Sequence, residues 1–192
     1  MTRHGIFVGL EITQRHYALA VVSHLAERDQ HFYFLDEPQT GEIDLHSMIR
    51  VINEYIKQLT SADQTSLVIN STFLGKPMRE TVKARLQNGA DLRFLRITTE
   101  ENENLESDPW RVPILDIGDS FRSLSQTSHF RLSDPFSFDI RAQALLKELN
   151  AFQLEPGDLI YPSPRIWGQG ENAKSVIAVL LACWAAHRLS TP

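Results

Sequence analysis

Ile6-Phe7-Val8-Gly9-Leu10-Glu11-Ile12, followed after Thr13-Gln14-Arg15-His16 by Tyr17-Ala18-Leu19-Ala20-Val21-Val22, is the stretch that decides the fold. The first run is dense in apolar residues and carries one carboxylate near its end. The second is apolar enough to be another strand, and a short polar joint between two strands reads as a β-hairpin. His31-Phe32-Tyr33-Phe34-Leu35 predicts a third strand, closed by the turn-rich Asp36-Glu37-Pro38-Gln39-Thr40-Gly41.

Beyond the hairpin the hydrophobic period changes. Leu45, Met48, Ile49, Ile52, Tyr55, Ile56 and Leu59 recur at helical spacing and predict an amphipathic helix packed on a sheet. Ser66-Leu67-Val68-Ile69-Asn70 reads as a short buried strand. Lys76 to Gln87 reads as a helix with Met78, Val82 and Leu86 inward, ended by Asn88-Gly89. Leu92 to Ile97 alternates as a strand does, and this strand–helix–strand succession argues for a parallel layer. Thr98 to Pro109 is polar and acidic and is expected to be an exposed loop. Helices are expected over Ile114–Gln126, over Asp139–Phe152 through Ile140, Leu145, Leu149 and Phe152, and over Ala173–Arg188. The last is apolar nearly all round and should be buried. Short strands are expected at Phe130–Leu132 and, inside the Pro- and Gly-punctuated stretch 156–170, at Leu159–Tyr161.

Composition narrows the function classes. The 192 residues are 42% hydrophobic, 22% charged and 9% aromatic, which suits one globular domain spanning 1–192. Nineteen Lys and Arg against 24 Asp and Glu give a net charge of −5, which excludes a strongly basic nucleic-acid-binding domain but not a local basic face. The longest apolar stretch is too short and too interrupted to span a bilayer. Met1-Thr2-Arg3-His4 runs straight into a strand, so no secretory segment is expected and the location is read as cytoplasmic. A single cysteine, Cys183, excludes an internal disulfide framework and a multi-cysteine zinc site.

A hairpin-led sheet, then alternating strands and helices, with an acid late in the first strand, resembles the ribonuclease-H-like fold: a mixed central sheet with an N-terminal antiparallel hairpin, flanked by α-helices. The chain resembles, more specifically, the C-terminal nuclease domain of phage terminase large subunits, which cut concatemeric DNA during packaging. Val8-Gly9-Leu10-Glu11-Ile12 stands where that family has its first metal-binding acidic strand. Val68-Ile69-Asn70-Ser71-Thr72-Phe73-Leu74-Gly75 is similar to its second acidic strand and following turn. Phe94 to Thr98, Arg111 to Leu124, and Ala144 to Phe152 follow in the family's order. Ala178 to Ala186 resembles its Ala-rich last helix ending in Trp. The resemblance implies a DNA substrate, packaging proteins as partners, and two divalent cations, Mg²⁺ or Mn²⁺, held by carboxylates. Hard cations prefer oxygen ligands, and paired metals activate water and stabilise the leaving oxygen.

The acidic positions themselves depart from that pattern. Glu11 replaces the usual Asp, and Asn70 stands where the second acid belongs. Asn172-Ala173-Lys174 occupies the register of the acidic triplet that opens the last helix. Asn offers one neutral carbonyl oxygen, a poor substitute for a carboxylate. Lys174 would repel a cation or replace its charge. Two readings follow. In the first, the domain is an impaired or inactive terminase-nuclease relative with no cofactor, acting as a DNA- or protein-interaction module. In the second, it is an active two-metal endonuclease whose ligands have moved, with Glu171 or a loop carboxylate joining Glu11. A third, an actin-like or sugar-kinase-like relative, lacks the required Gly-rich phosphate turns. A nucleotide bound through a Walker A loop is excluded, because Gly75-Lys76 is followed by Pro77 without the upstream glycine.

Each candidate residue also has a plainer reading. Glu11 is either a ligand in a cleft with Asn70 or a solvated carboxylate at a strand end. Glu171 is either a displaced ligand or a helix-start decoration. Lys76, Arg79 and Lys83, at i, i+3 and i+7, are either DNA-phosphate contacts or the solvated face of their helix. The run from Glu100 to Asp108 is an ordinary polar loop, or else a phosphate-repelling or metal-recruiting one. Of the seven histidines only His16 falls near the expected cleft, and no pair has helical zinc-site spacing. Cys183, beside Trp184, is read as a small core residue.

Overall fold

The computed structural model describes residues 2–13, 16–27, 30–42, 44–58, 64–86, 89–100, 102–134, 136–151 and 173–190. Its organising element is the hairpin. Strand β1 (Thr2–Ile12) pairs antiparallel with β2 (His16–Glu27), in register from Thr2 opposite Glu27 to Ile12 opposite Tyr17. The joint is closed by the His16 carbonyl, which accepts from the Thr13 backbone N–H at 2.9 Å and from its hydroxyl at 3.0 Å. Strand β3 (Gln30–Leu35) covers only the second half of β2, from Val22 onward. The first half would present unpaired backbone groups at an edge. Strand β4 (Gln39–Glu42) fills that place, pairing His16–Leu19, so a segment that reads as a turn by composition is drafted into the sheet.

The rest of the sheet grows outward from β1. After helix α1 (Leu45–Gln58), β5 (Gln64–Asn70) lies parallel to β1. After α2 (Lys76–Arg85), β6 (Asp91–Thr98) lies parallel to β5, and β7 (Trp110–Pro113) parallel to β6. Helix α3 (Ile114–Ser125) leads to β8 (Phe130–Leu132), which joins the opposite edge parallel to β3. A 3-10 turn at Phe136–Phe138, α4 (Ile140–Ala151) and α5 (Ala173–Leu189) complete the described elements. The sheet order β7-β6-β5-β1-β2-β3-β8, with β2 alone reversed against both its neighbours, is a ribonuclease-H-like arrangement. The expected strand at Leu159–Tyr161 lies outside the described residues, as do Leu59 and Phe152.

Alternation along the strands divides the core in two. Ile6, Val8, Leu10 and Ile12 face one side with Leu19, Leu67 and Ile69, under α1 and α2. Phe7, Ala18, Ala20, Val22, Val68 and Leu95 face the other, under α3, α4 and α5. Small residues set the spacing there. A Cβ at Gly9 would stand 2.1 Å from the Ala178 carbonyl oxygen and 2.5 Å from the Ala182 nitrogen, so α5 lies directly on β1. Ala178, Ala182, Ala185 and Ala186 are buried on that helix, as the all-round apolar pattern predicts. No helix among the described residues is long and apolar enough to cross a membrane.

Two expected core positions are exposed. Ile140 is 84% exposed because α4 packs through Ala142, Leu145 and Leu149, and the first helical residue points away from that stripe. Met78 shares a stripe with the buried Val82 and Leu86 but is 40% exposed, since the first turn of α2 sits at the rim where the chain leaves β5.

Candidate functional site

Parallel pairing of β1 with β5 places Leu10 opposite Ile69, so Glu11 and Asn70 come next, side by side at the carboxyl ends of the two central strands. Alternation puts both on the face of Gly9 and Val68, the side covered by α5. They are buried, at 3% and 1% exposure. The Asn70 Nδ2 donates to Glu11 Oε2 at 2.7 Å. The Asn70 Oδ1 accepts from the Thr72 backbone N–H at 3.1 Å and from the Thr72 hydroxyl at 2.7 Å. A backbone N–H can only donate, so this contact fixes which end of the amide is oxygen and turns the NH₂ toward Glu11. The turn is anchored again at Ser71, whose N–H and hydroxyl both end on the Leu95 carbonyl, at 2.7 and 2.9 Å.

Burial pushes the Glu11 carboxyl up to about 8, and the smaller opposing effect is the Asn70 hydrogen bond. At neutral pH Glu11 is therefore mainly protonated. The donor set does not suit the divalent cations that the sequence resemblance implies. A cation at Glu11 wants further oxygen ligands, whereas the side chain beside it, Asn70, turns its N–H toward the carboxyl and commits its oxygen to Thr72. Among the described residues, no group of three or more His, Cys, Asp or Glu is placed to hold a metal ion.

The other candidates are scattered. Lys174 is half-buried in the first turn of α5 and makes no ion pair with Glu11. Glu171 and Asn172 lie outside the described residues. On α2, Lys76 and Lys83 are exposed, whereas the Arg79 guanidinium donates to the Leu74 carbonyl at 3.2 Å and braces the turn after β5. The acidic loop is more ordered than its composition suggests. Asn104 pairs through both backbone groups with Arg111, and Arg111 approaches Glu100 at 3.5 Å. Glu103 accepts from the Trp184 indole at 3.2 Å and pairs with Arg188 at 3.1 Å, tying the loop to the later turns of α5.

One cluster escapes sequence reading. His24 Nε2 and His31 Nδ1 stand 2.9 Å apart with their rings stacked, and Tyr33 stacks on His24. Burial, followed by the charges of His31 and His4, pushes His24 down to about 4. The signal was the face-matching of residues 24, 31 and 33 across β2 and β3, legible only once the register is known. His16 is half-buried at the start of β2. Cys183 is completely buried, which raises its thiol and makes it inert, in line with a core role.

The strand order gives the described residues a ribonuclease-H-like fold. No protein-family model matches the chain, and no curated protein matches it. Among solved structures it is similar to the large terminase nuclease domain from bacteriophage SPP1 with bound Mn, at 12% identity and a TM-score of 0.46, over 93% of this chain and 84% of that one. It is also similar to Thermus thermophilus RuvC in complex with a Holliday junction substrate, at 8% identity and a TM-score of 0.42, over 96% of this chain and 95% of that one. A second Thermus thermophilus RuvC structure matches at 9% identity and a TM-score of 0.41, with the same coverages.

Proposed function

We propose that this chain is a nuclease-like domain in which a hydrogen-bonded Glu11–Asn70 pair stands in place of a metal centre, and that it works as a DNA-interaction module. The observation that carries the reading is the Asn70 amide turned toward a buried, mainly protonated Glu11. Two-metal hydrolysis requires ionised oxygens converging on the cations, and here the position nearest Glu11 is taken by an N–H donor. Lys76 and Lys83, exposed on α2, supply the positive charge for phosphate contact. The ordered sequence motifs support the finer reading of a terminase-type domain, acting in the cytoplasm with phage packaging proteins as partners.

The test is incubation of plasmid and linear DNA with Mg²⁺ or Mn²⁺, alongside a binding measurement without metal. DNA binding without cleavage is the expected result. Cleavage abolished by Glu11→Ala would overturn it in favour of an active endonuclease with relocated ligands, Glu171 among them.

A further inference from the structure

The turn after β5 carries a feature the Glu11–Asn70 pair does not use. Phe73 is 59% exposed at its tip, yet the backbone around it is pinned on every side. The Leu74 N–H donates to the Ser71 carbonyl at 2.9 Å, Thr72 is held by Asn70, and Ser71 is clamped to Leu95. Leu74 itself is buried, with its carbonyl held by Arg79. An aromatic ring projected from an immobilised turn loses little entropy on binding a planar partner. Met78 adds a second exposed apolar group one helical turn further on.

Charge says what that partner is. Residues 64–85 carry Lys76, Arg79, Lys83 and Arg85 against a single acid, Glu80, in a chain whose net charge is −5. Lys76 and Lys83 lie at i and i+7 on one side of α2, both exposed, and no ion pair holds either among the described residues. A stacking platform beside unpaired cations suits a polyanion with accessible aromatic faces. Duplex DNA hides its base faces in the stack, whereas a single strand presents them.

Resting on the DNA-binding reading above, we propose that the Ser71–Leu74 turn and the adjoining side of α2 form a site for single-stranded DNA, with Phe73 stacked on an unpaired base and Lys76 and Lys83 on flanking phosphates. Binding of fluorescent oligo(dT) and of a duplex of equal length, followed by anisotropy at low salt, tests it. The expected result is tighter binding of oligo(dT), with Phe73→Ala weakening it about tenfold and leaving duplex binding unchanged. Phe73→Tyr retains binding, and Phe73→Leu, which keeps apolar bulk without a ring, behaves as Phe73→Ala while melting as the wild type does. Lys76→Ala with Lys83→Ala weakens both ligands and flattens the salt dependence. Equal affinity for both DNAs, an equal loss on both in Phe73→Ala, or no loss at all would overturn this site and leave the DNA-module reading standing. Binding of neither DNA would overturn both, and would turn the exposed Phe73 and Met78 toward a protein partner.

Discussion

The Asn70 side chain donates to the Glu11 carboxyl at 2.7 Å while its oxygen is committed to Thr72, so the amide cannot rotate without losing a backbone hydrogen bond. A carboxylate at position 70 could not make the same contact with an ionised Glu11, since two acceptors repel. The pair is closed by its own hydrogen bond, where a metal centre has to be open to its cation.

Asn70→Asp should therefore convert a hydrogen-bonded pair into one that needs a proton or a cation. The variant is expected to melt well below the wild type in EDTA and to recover with Mn²⁺. The wild-type melting temperature should stay the same with and without the metal. Differential scanning fluorimetry reads both, and a Mn²⁺-dependent rise in the wild type would contradict the closed-pair account.

Glu11 also predicts a pH dependence. Its folded pKa, raised to about 8 from the ordinary 4.5, means the native state holds a proton that the unfolded chain releases. Stability from this group is full below about 4.5 and is lost as pH rises toward 8, on the order of 5 kcal/mol in all. Glu11→Gln keeps an acceptor for Asn70 and removes the titration. In urea denaturation series its stability should no longer fall between pH 6.5 and 8, above the range in which His24 titrates, and a slope there equal to the wild type's would contradict the assignment.

His24 works in the opposite direction. Its pKa, lowered to about 4 from 6.5, makes the folded state bind fewer protons than the unfolded chain, so stability is lost as pH falls from 6.5 toward 4. His24→Phe keeps an aromatic ring on Tyr33 and removes the protonation site. The expected outcome is a shallower loss of stability on acidification, measured by far-UV circular dichroism at fixed urea.

Gly9→Ala tests the seating of α5. The new methyl group would collide with backbone atoms of Ala178 and Ala182, which cannot swing aside as a side-chain tip can. A destabilisation of about 3 kcal/mol, at the upper end of ordinary overpacking, should appear in chemical denaturation. A change within about 0.5 kcal/mol would mean that α5 does not lie against β1.

Removing the Glu103 carboxylate should leave the buried Trp184 indole N–H without its acceptor and release Arg188. Glu103→Ala is expected to cost about 1–3 kcal/mol, with amide exchange near Asn104 and Arg111 accelerated. Glu106→Ala, in the same acidic run but exposed and without a side-chain ion pair among the described residues, should be neutral.

Much of the fold was legible because its main elements have long, clean periods. The first hairpin, the parallel strands at 64–70 and 91–98, and the buried last helix all follow from alternation or all-round apolarity. Elements defined by a partner's need were not legible. Gln39–Glu42 becomes a strand because β2 outruns β3, and Trp110–Pro113 becomes one because β6 offers it an edge. Met78 and Ile140 have the right residue type for burial, but a helix's first turn can overhang what the rest of it covers.

The site divides in the same way. By itself, the sequence determined that Glu11 ends one central strand and Asn70 another, because residue identity and strand periodicity are local properties. Only the tertiary structure decided that the two are in register and buried, with the Thr72 bond turning the amide toward the acid. Protonation of Glu11 follows from that enclosure, since the cost of a charge depends on what surrounds it and no residue carries its own dielectric.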